Sequence, residues 1–110
     1  MSAGLEAEDR VLLLAIASKD ELVTMARQLT RGVLVAIGSR DEVDQARESM
    51  AEYENAMFVE AAPDRIPWRE AYFTKVVIPP HLDLMVRQMG PELHRVLAPG
   101  GAIVRQTVET

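Results

Sequence analysis

His81 and His94 are the only histidines among 110 residues. They stand thirteen positions apart, with no carboxylate at the spacing of a metal-ligand set, so no metal site is expected. His81 follows Ile78-Pro79-Pro80 at what reads as the carboxyl end of a strand. That end of an α/β sheet is where clefts form, so His81 is the better candidate for a working imidazole, with plain surface exposure as the default. Glu92 and Arg95 lie one helical turn apart and read as a solvated ion pair rather than an acid–base couple. The absence of cysteine excludes a disulfide, a thiolate nucleophile and a thiolate metal site. No catalytic residue can be named from these types and spacings.

The remaining chemistry-bearing residues have bland readings. Asp41, Glu42, Asp44, Glu48, Glu52 and Glu54 form an acidic, solubilising face. Met85 and Met89, four apart on a helix, read as core fillers; a Met-rich partner surface is the sharper alternative. Trp68, between Pro67 and Arg69, reads as a packed loop anchor or, more sharply, an interface anchor. The net charge of -5 and the lack of a basic run argue against nucleic-acid binding. Residues 1–9 are acidic and lack an apolar stretch, so no signal peptide is expected. The apolar run Val11–Ala17 is too short to span a bilayer, and a soluble cytoplasmic protein is the expectation.

The elements that must position these residues follow from periodicity. A hydrophobic content of 48% supports a folded domain, and 110 residues suit a single one over 1–110. Continuous aliphatic runs at 10–17 and 32–37 predict strands buried on both faces. Ser18 predicts a helix cap, with acids in the first turn and a helix reaching toward Gly32. Ser39 and Glu42 predict a capping box and a helix to about residue 53. Strands follow at 56–60 and 72–78, joined by a loop over 61–70 that contains Pro63 and Pro67. A helix over about 82–97 should kink at Gly90-Pro91, and Ala98-Pro99-Gly100-Gly101 should stop it before a fifth strand at 102–108. Strands and helices in alternation predict an α/β, three-layer Rossmann-like sandwich on a mainly parallel five-stranded sheet.

Four segments resemble the class I S-adenosylmethionine-dependent methyltransferases. Glu92-Leu93-His94-Arg95-Val96-Leu97-Ala98-Pro99-Gly100-Gly101 is similar to that family's E-x-x-R-V-L-x-P-G-G segment. Ser39 through Arg47, Phe58-Val59-Glu60-Ala61-Ala62, and Ile66-Pro67-Trp68 with Tyr72-Phe73 resemble further family segments, in order and at family spacing. The resemblance covers about Val11 to Val104 and implies strand order 3-2-1-4-5.

It also implies where a cofactor would lie, and there the types depart from the pattern. The family's glycine-rich loop after the first strand is matched by Ala15, Ala17 and Lys19, whose Cβ atoms narrow the approach to backbone. The acid inside the first strand is matched by Leu13. The acid that ends the second strand and holds the ribose hydroxyls is matched by Ile37, which accepts no hydrogen bond. The Asp facing the adenine amine is matched by Ala62, and the Asp opening the fourth strand by Thr74. Ile78-Pro79-Pro80-His81 is only faintly similar to the N-P-P-Y element of amino-methylating enzymes, since Ile78 offers no amide. A vestigial cleft is therefore expected around Ala15, Ala17, Ser18, Ile37, Gly38, Ala62 and Ile78.

The resemblance implies two more strands and a helix beyond the fifth strand, and the sequence ends at Thr110. The expectation is an open edge over Ala102, Ile103, Val104, Arg105, Gln106, Thr107 and Val108, beside a partly bare sheet face. A homodimer or larger assembly, or a piece of a longer protein, would follow. The leading expectation is a non-catalytic methyltransferase-like domain, a pseudoenzyme with no cofactor, acting through oligomerisation or partner binding. The alternative is a divergent methyltransferase that uses S-adenosylmethionine. A binder of another small ligand is a third possibility that no residue constellation supports.

Overall fold

A computed structural model of the chain describes residues 5–105, with the side chains of 83–87 outside the description. Its strands are β1 (Arg10–Leu13), β2 (Val33–Gly38), β3 (Ala56–Glu60), β4 (Phe73–Ile78) and β5 (Leu97–Arg105). Its α-helices are α1 (Lys19–Gln28), α2 (Arg40–Ser49) and α3 (Val86–Val96), the last preceded by a 3-10 turn at Pro80–Met85. The sheet order is β3-β2-β1-β4-β5, and all four pairings are parallel.

Alternation along the strands builds the two cores. Val11 and Leu13 face α1 and α2 together with Leu34, Ala36 and Phe58. Leu12 and Leu14 point the other way, with Val35, Ile37, Val76 and Ile78, toward Met89, Leu93 and Val96 of α3. Helices thus cover both faces of a sheet whose central strand is fully buried at Val11, Leu12 and Leu13, and each fully buried Leu, Ile or Phe contributes about 1.5–3 kcal/mol.

Both α1 and α2 begin as the sequence predicts. The Ser18 hydroxyl accepts from the Glu21 N–H. Ser39 and Glu42 make the complete capping box. Asn55 ends α1 from a distance, donating to the Ala26 and Leu29 carbonyls at 2.8 and 2.9 Å and so tying that helix to the start of β3. At Gly32 the chain passes so close to the Asp9 and Ala7 carbonyls that a Cβ would collide with them.

Four expected boundaries differ. β1 stops at Leu13 rather than Ala17, because after the Leu14 N–H bonds to Val77 the chain must leave the sheet to reach the Ser18 cap. α2 ends at Ser49, three residues short of Glu52 and four short of Tyr53, where the Met50 N–H closes on Ala46. α3 runs through Gly90-Pro91, and the seam between 3-10 and α geometry lies at Met85/Val86 instead. Proline there costs one ladder bond and does not end the helix. β5 starts at Leu97, since the register steps from Phe73↔Leu97 to Lys75↔Ala102 and Ala98–Gly101 bulges out, with Gly100 at φ 81. The expected stop is therefore a bulge inside the strand.

Candidate functional site

A cleft of about 230 Å³ opens at the carboxyl ends of β1 and β4. Strand order reverses around β1, and such a switch point is where open α/β sheets bind ligands. The loop from β1 to α1 forms one wall through Ala15, Ile16, Ala17 and Ser18, with Glu21 in the first turn of α1; Pro79, Pro80 and His81 form the other. His81 is therefore on the rim, where the sequence put its better candidate. His94 is exposed on α3.

The seven residues of the expected cleft do not stay together. Ala15, Ala17 and Ser18 line it. Ile37 and Ile78 are buried in the α3-side core, at 1% and 0% exposure. Gly38 is covered: a Cβ built on it would lie 2.7 Å from Ile16 Cγ1 and 3.2 Å from Glu42 Oε1. Ala62 is exposed, in a tight turn where it bridges to Arg65. The sequence did not single out Ile16. The signal was available, since an isoleucine in a loop expected to approach a glycine must go somewhere.

These residues do not fit S-adenosylmethionine in the family's usual pose. Among the described residues, Ala71 alone of the non-glycines has positive φ, so Ala15, Ala17 and Lys19 follow a backbone path open to any L-residue. At the end of β2, the position that would hold ribose hydroxyls is a buried isoleucine without an acceptor. The nearby Glu42 carboxylate is committed to the helix cap. The Ser39 backbone N–H and hydroxyl, with a contribution from His81, hold it below its ordinary range. The cleft is also smaller than the roughly 300–1,000 Å³ usual for small-molecule sites. No group of three or more His, Asp or Glu among the described residues is placed to hold a metal ion.

Ionisable side chains instead concentrate in two fastenings. At the amino ends of the strands, Asp9 is buried, accepting from the Glu6 N–H and the Thr74 hydroxyl, both at 2.8 Å, and from Lys75 Nζ at 3.0 Å. Burial pushes the Asp9 carboxyl up, but these three donors outweigh it and leave the group below its ordinary value. The Thr74 hydroxyl also accepts from the Arg10 N–H, and Arg10 Nε donates to the Tyr72 carbonyl.

The second fastening corrects the expectation of a solvated Glu92–Arg95 pair. Both side chains are largely covered, at 23% and 31% exposure. Arg95 donates to Glu92 and, at 2.7 Å each, to the Ile66 and Trp68 carbonyls, while Glu92 accepts from the Ile66 N–H. The pair clips the 61–72 loop to α3. Hydrogen bonds from Arg95, then from the Ile66 N–H, lower the Glu92 carboxyl to about 2. Trp68 is the loop anchor, its ring 5.7 Å from those of Tyr72 and Phe73. Met89 is buried as expected; the side chain of Met85 lies outside the described residues.

At the far edge, β5 pairs only with β4 among the described strands. Ala102 and Arg105 are exposed, while Ile103 and Val104 are half-buried against the two cores. Gln106, Thr107 and Val108 lie outside the described residues. Among the described residues the large exposed hydrophobic is on the opposite edge, Met57 of β3 at 42% exposure. No described helix is long and apolar enough to cross a membrane.

No protein-family model matches the chain, and no curated protein matches it. Solved structures do. A methyltransferase dependent on S-adenosylmethionine from Aquifex aeolicus is 18% identical with a TM-score of 0.82, over 93% of this chain and 57% of that one. The geranyl diphosphate C-methyltransferase of Streptomyces coelicolor, solved with S-adenosyl-L-homocysteine, is 13% identical with a TM-score of 0.77, over 91% and 39%. The cyclase SpnF is 20% identical with a TM-score of 0.77, over 90% and 38%. The chain therefore spans about half the length of the proteins it resembles. The parallel sheet, its 3-2-1-4-5 order and these likenesses together give this chain a class I methyltransferase-like fold.

Proposed function

We propose that this chain is a methyltransferase-fold domain that does not hold S-adenosylmethionine in the usual pose and acts through contact with another protein chain, in a cytoplasmic setting. The observation that carries the reading is the mouth of β1 and β2. Ile16 covers Gly38, and the buried Ile37 stands where a ribose-binding acid belongs. Each hydroxyl left unpaired on burial costs about 1–3 kcal/mol, and about 1.4 kcal/mol is tenfold in affinity. Support for protein contact, including self-association, comes from β5 as the outermost described strand on its side.

The second reading is a divergent S-adenosylmethionine-dependent methyltransferase. The neighbours favour it over the first: two of those above are methyltransferases, and one was solved with the demethylated cofactor. The position of the cleft at the switch point favours it too. A cyclase among the neighbours weakens the step from fold to reaction.

Isothermal titration with S-adenosylmethionine and S-adenosylhomocysteine separates the two. The first reading expects no saturation in the micromolar range. Saturable micromolar binding refutes it and favours the second, which methyl transfer to an acceptor would then establish. Light scattering on the same sample tests self-association.

A further inference from the structure

The edge at β3 differs from the rest of the sheet, and its properties do not depend on what the mouth binds. The Leu34 N–H bonds to the Asn55 carbonyl, and the Ala61 N–H bonds to Gly38. In the alternating pattern of a parallel ladder, residues 55, 57, 59 and 61 therefore turn their peptide groups toward β2. Ala56, Phe58 and Glu60 turn theirs outward. The Ala56 N–H is taken by Tyr53, and the Phe58 carbonyl by Arg47 Nε and Nη2 at 3.2 and 2.8 Å. The Phe58 and Glu60 N–H groups and the Ala56 carbonyl have no partner among the described residues.

Beside this edge lies a groove of about 340 Å³ between the end of α2 and β3, with Met50, Tyr53, Met57 and Val59 among its walls. Among the described residues Met57 is the large hydrophobic left exposed. The charge around the groove is acidic. Glu54 lines it, and Glu48, Glu52 and Glu60 are exposed on the same stretch of chain. Arg47, the one cation on the wall, already has its guanidinium on Phe58. A second copy docked through this edge would bring those glutamates against their own images, which disfavours a dimer here.

We infer that the β3 edge is a docking site for an extended, basic segment of another protein, added as a further strand. Its main chain would bond the Phe58 and Glu60 N–H groups and the Ala56 carbonyl; an apolar side chain would cover Met57; flanking Lys or Arg would meet the glutamates.

The probe is a capped peptide of alternating Lys and Val, titrated while backbone amide shifts are followed by NMR. Saturation with the largest shifts at Ala56–Glu60, and no binding of the Glu/Val analogue, is expected. Methylating alternate peptide nitrogens should abolish binding, because strand addition needs those N–H groups and charge attraction alone does not. Met57→Lys, at an exposed position that leaves the core intact, should weaken binding at least about tenfold. Absence of saturation up to millimolar peptide overturns the inference. So does equal binding of the Glu/Val or N-methylated peptide, an unaffected Met57→Lys, or shifts confined to β5. The cofactor titration is a separate measurement, so failure here leaves the reading of the mouth standing.

Discussion

At the amino ends of β1 and β4, Asp9, Arg10, Thr74 and Lys75 form a network in which the buried Asp9 carboxylate has three donors. At the carboxyl ends, where this class of sheet binds ligands, the corresponding side chains are Leu13, Ile16, Ile37 and Ile78. An enzyme on such a sheet places its ligand-binding groups at the carboxyl ends of the strands. Here the rear and the 61–72 loop carry the partnered charges, while at the mouth aliphatic side chains stand beside Ser18, Glu21 and His81. The described residues have no buried side-chain nitrogen or oxygen without a partner. The buried polar groups of the described residues fasten strands and a loop.

The sharpest way to break that contrast is to return an acid to the mouth. Ile37→Asp places a carboxylate at a position 1% exposed, among Leu12, Val35 and Ile78. With no donor to meet it, the expected loss of stability is about 4 kcal/mol or more, read as the urea midpoint. A variant that folds with a loss under about 1 kcal/mol and gains adenosyl-ligand binding would show the mouth to be a latent cofactor site.

Next in size is the rear. Asp9→Ala removes the acceptor from the Glu6 N–H, the Thr74 hydroxyl and the Lys75 ammonium at once. Stripping one side of a covered ion pair costs about 3–5 kcal/mol, and Lys75, at 21% exposure, can reach some water. The lower end, about 3 kcal/mol, is expected in urea unfolding. Thr74→Val, which keeps the shape and loses one link, should cost about 1 kcal/mol.

The architecture was legible because it rests on periodicity. Aliphatic runs, Ser caps and the Ser39–Glu42 box are local signals, and each gave its element. The strand order came from the family resemblance. What was not legible depended on distant partners. β1 is cut short by where Ser18 must sit, and the Ala98–Gly101 bulge by the register against β4. Glu92 and Arg95 look solvated on a helical wheel, because the carbonyls of Ile66 and Trp68 that bury them arrive from another part of the chain. At the mouth the structure places Ala15, Ala17 and Ser18 of the expected cleft on one wall. The sequence could not show that Ile37 and Ile78 turn into the core, or that Ile16 lies over Gly38.

The loop clip supplies a pH-dependent test of the same contrast. The Glu92 carboxyl sits at about 2 in the folded chain, below its ordinary 4.5. A lowered folded pKa means the clip contributes fully above the unfolded value and fades as pH falls from there toward about 2. Asp9 is lowered as well and adds in the same direction. Thermal melts should therefore lose stability on that acid limb, and Glu92→Gln should flatten it by lowering the plateau above the unfolded value while leaving the acid end near the parent's. Arg95→Ala strips two loop carbonyls of their donor, and a lower urea midpoint is expected at neutral pH. An acid limb as steep in Glu92→Gln as in the parent chain would remove the clip from the account.

The smallest effect is expected where a glycine-loop enzyme would show its largest. Ala15 and Ala17 line the cleft at negative φ, so neither position needs glycine. Ala15→Gly with Ala17→Gly removes two Cβ atoms from the wall without creating the left-handed backbone that glycine alone permits. The folded state loses little; the unfolded chain gains freedom, at about 0.4–1 kcal/mol for each site. The double variant should thus be slightly less stable and should bind S-adenosylmethionine no better than the parent, because Ile16 still covers Gly38 and Ile37 still offers no acceptor. If instead the two glycines raise affinity about tenfold, steric closure by the alanines was the whole obstacle. The aliphatic mouth would then be a narrowed cofactor site rather than one whose polar contacts have gone.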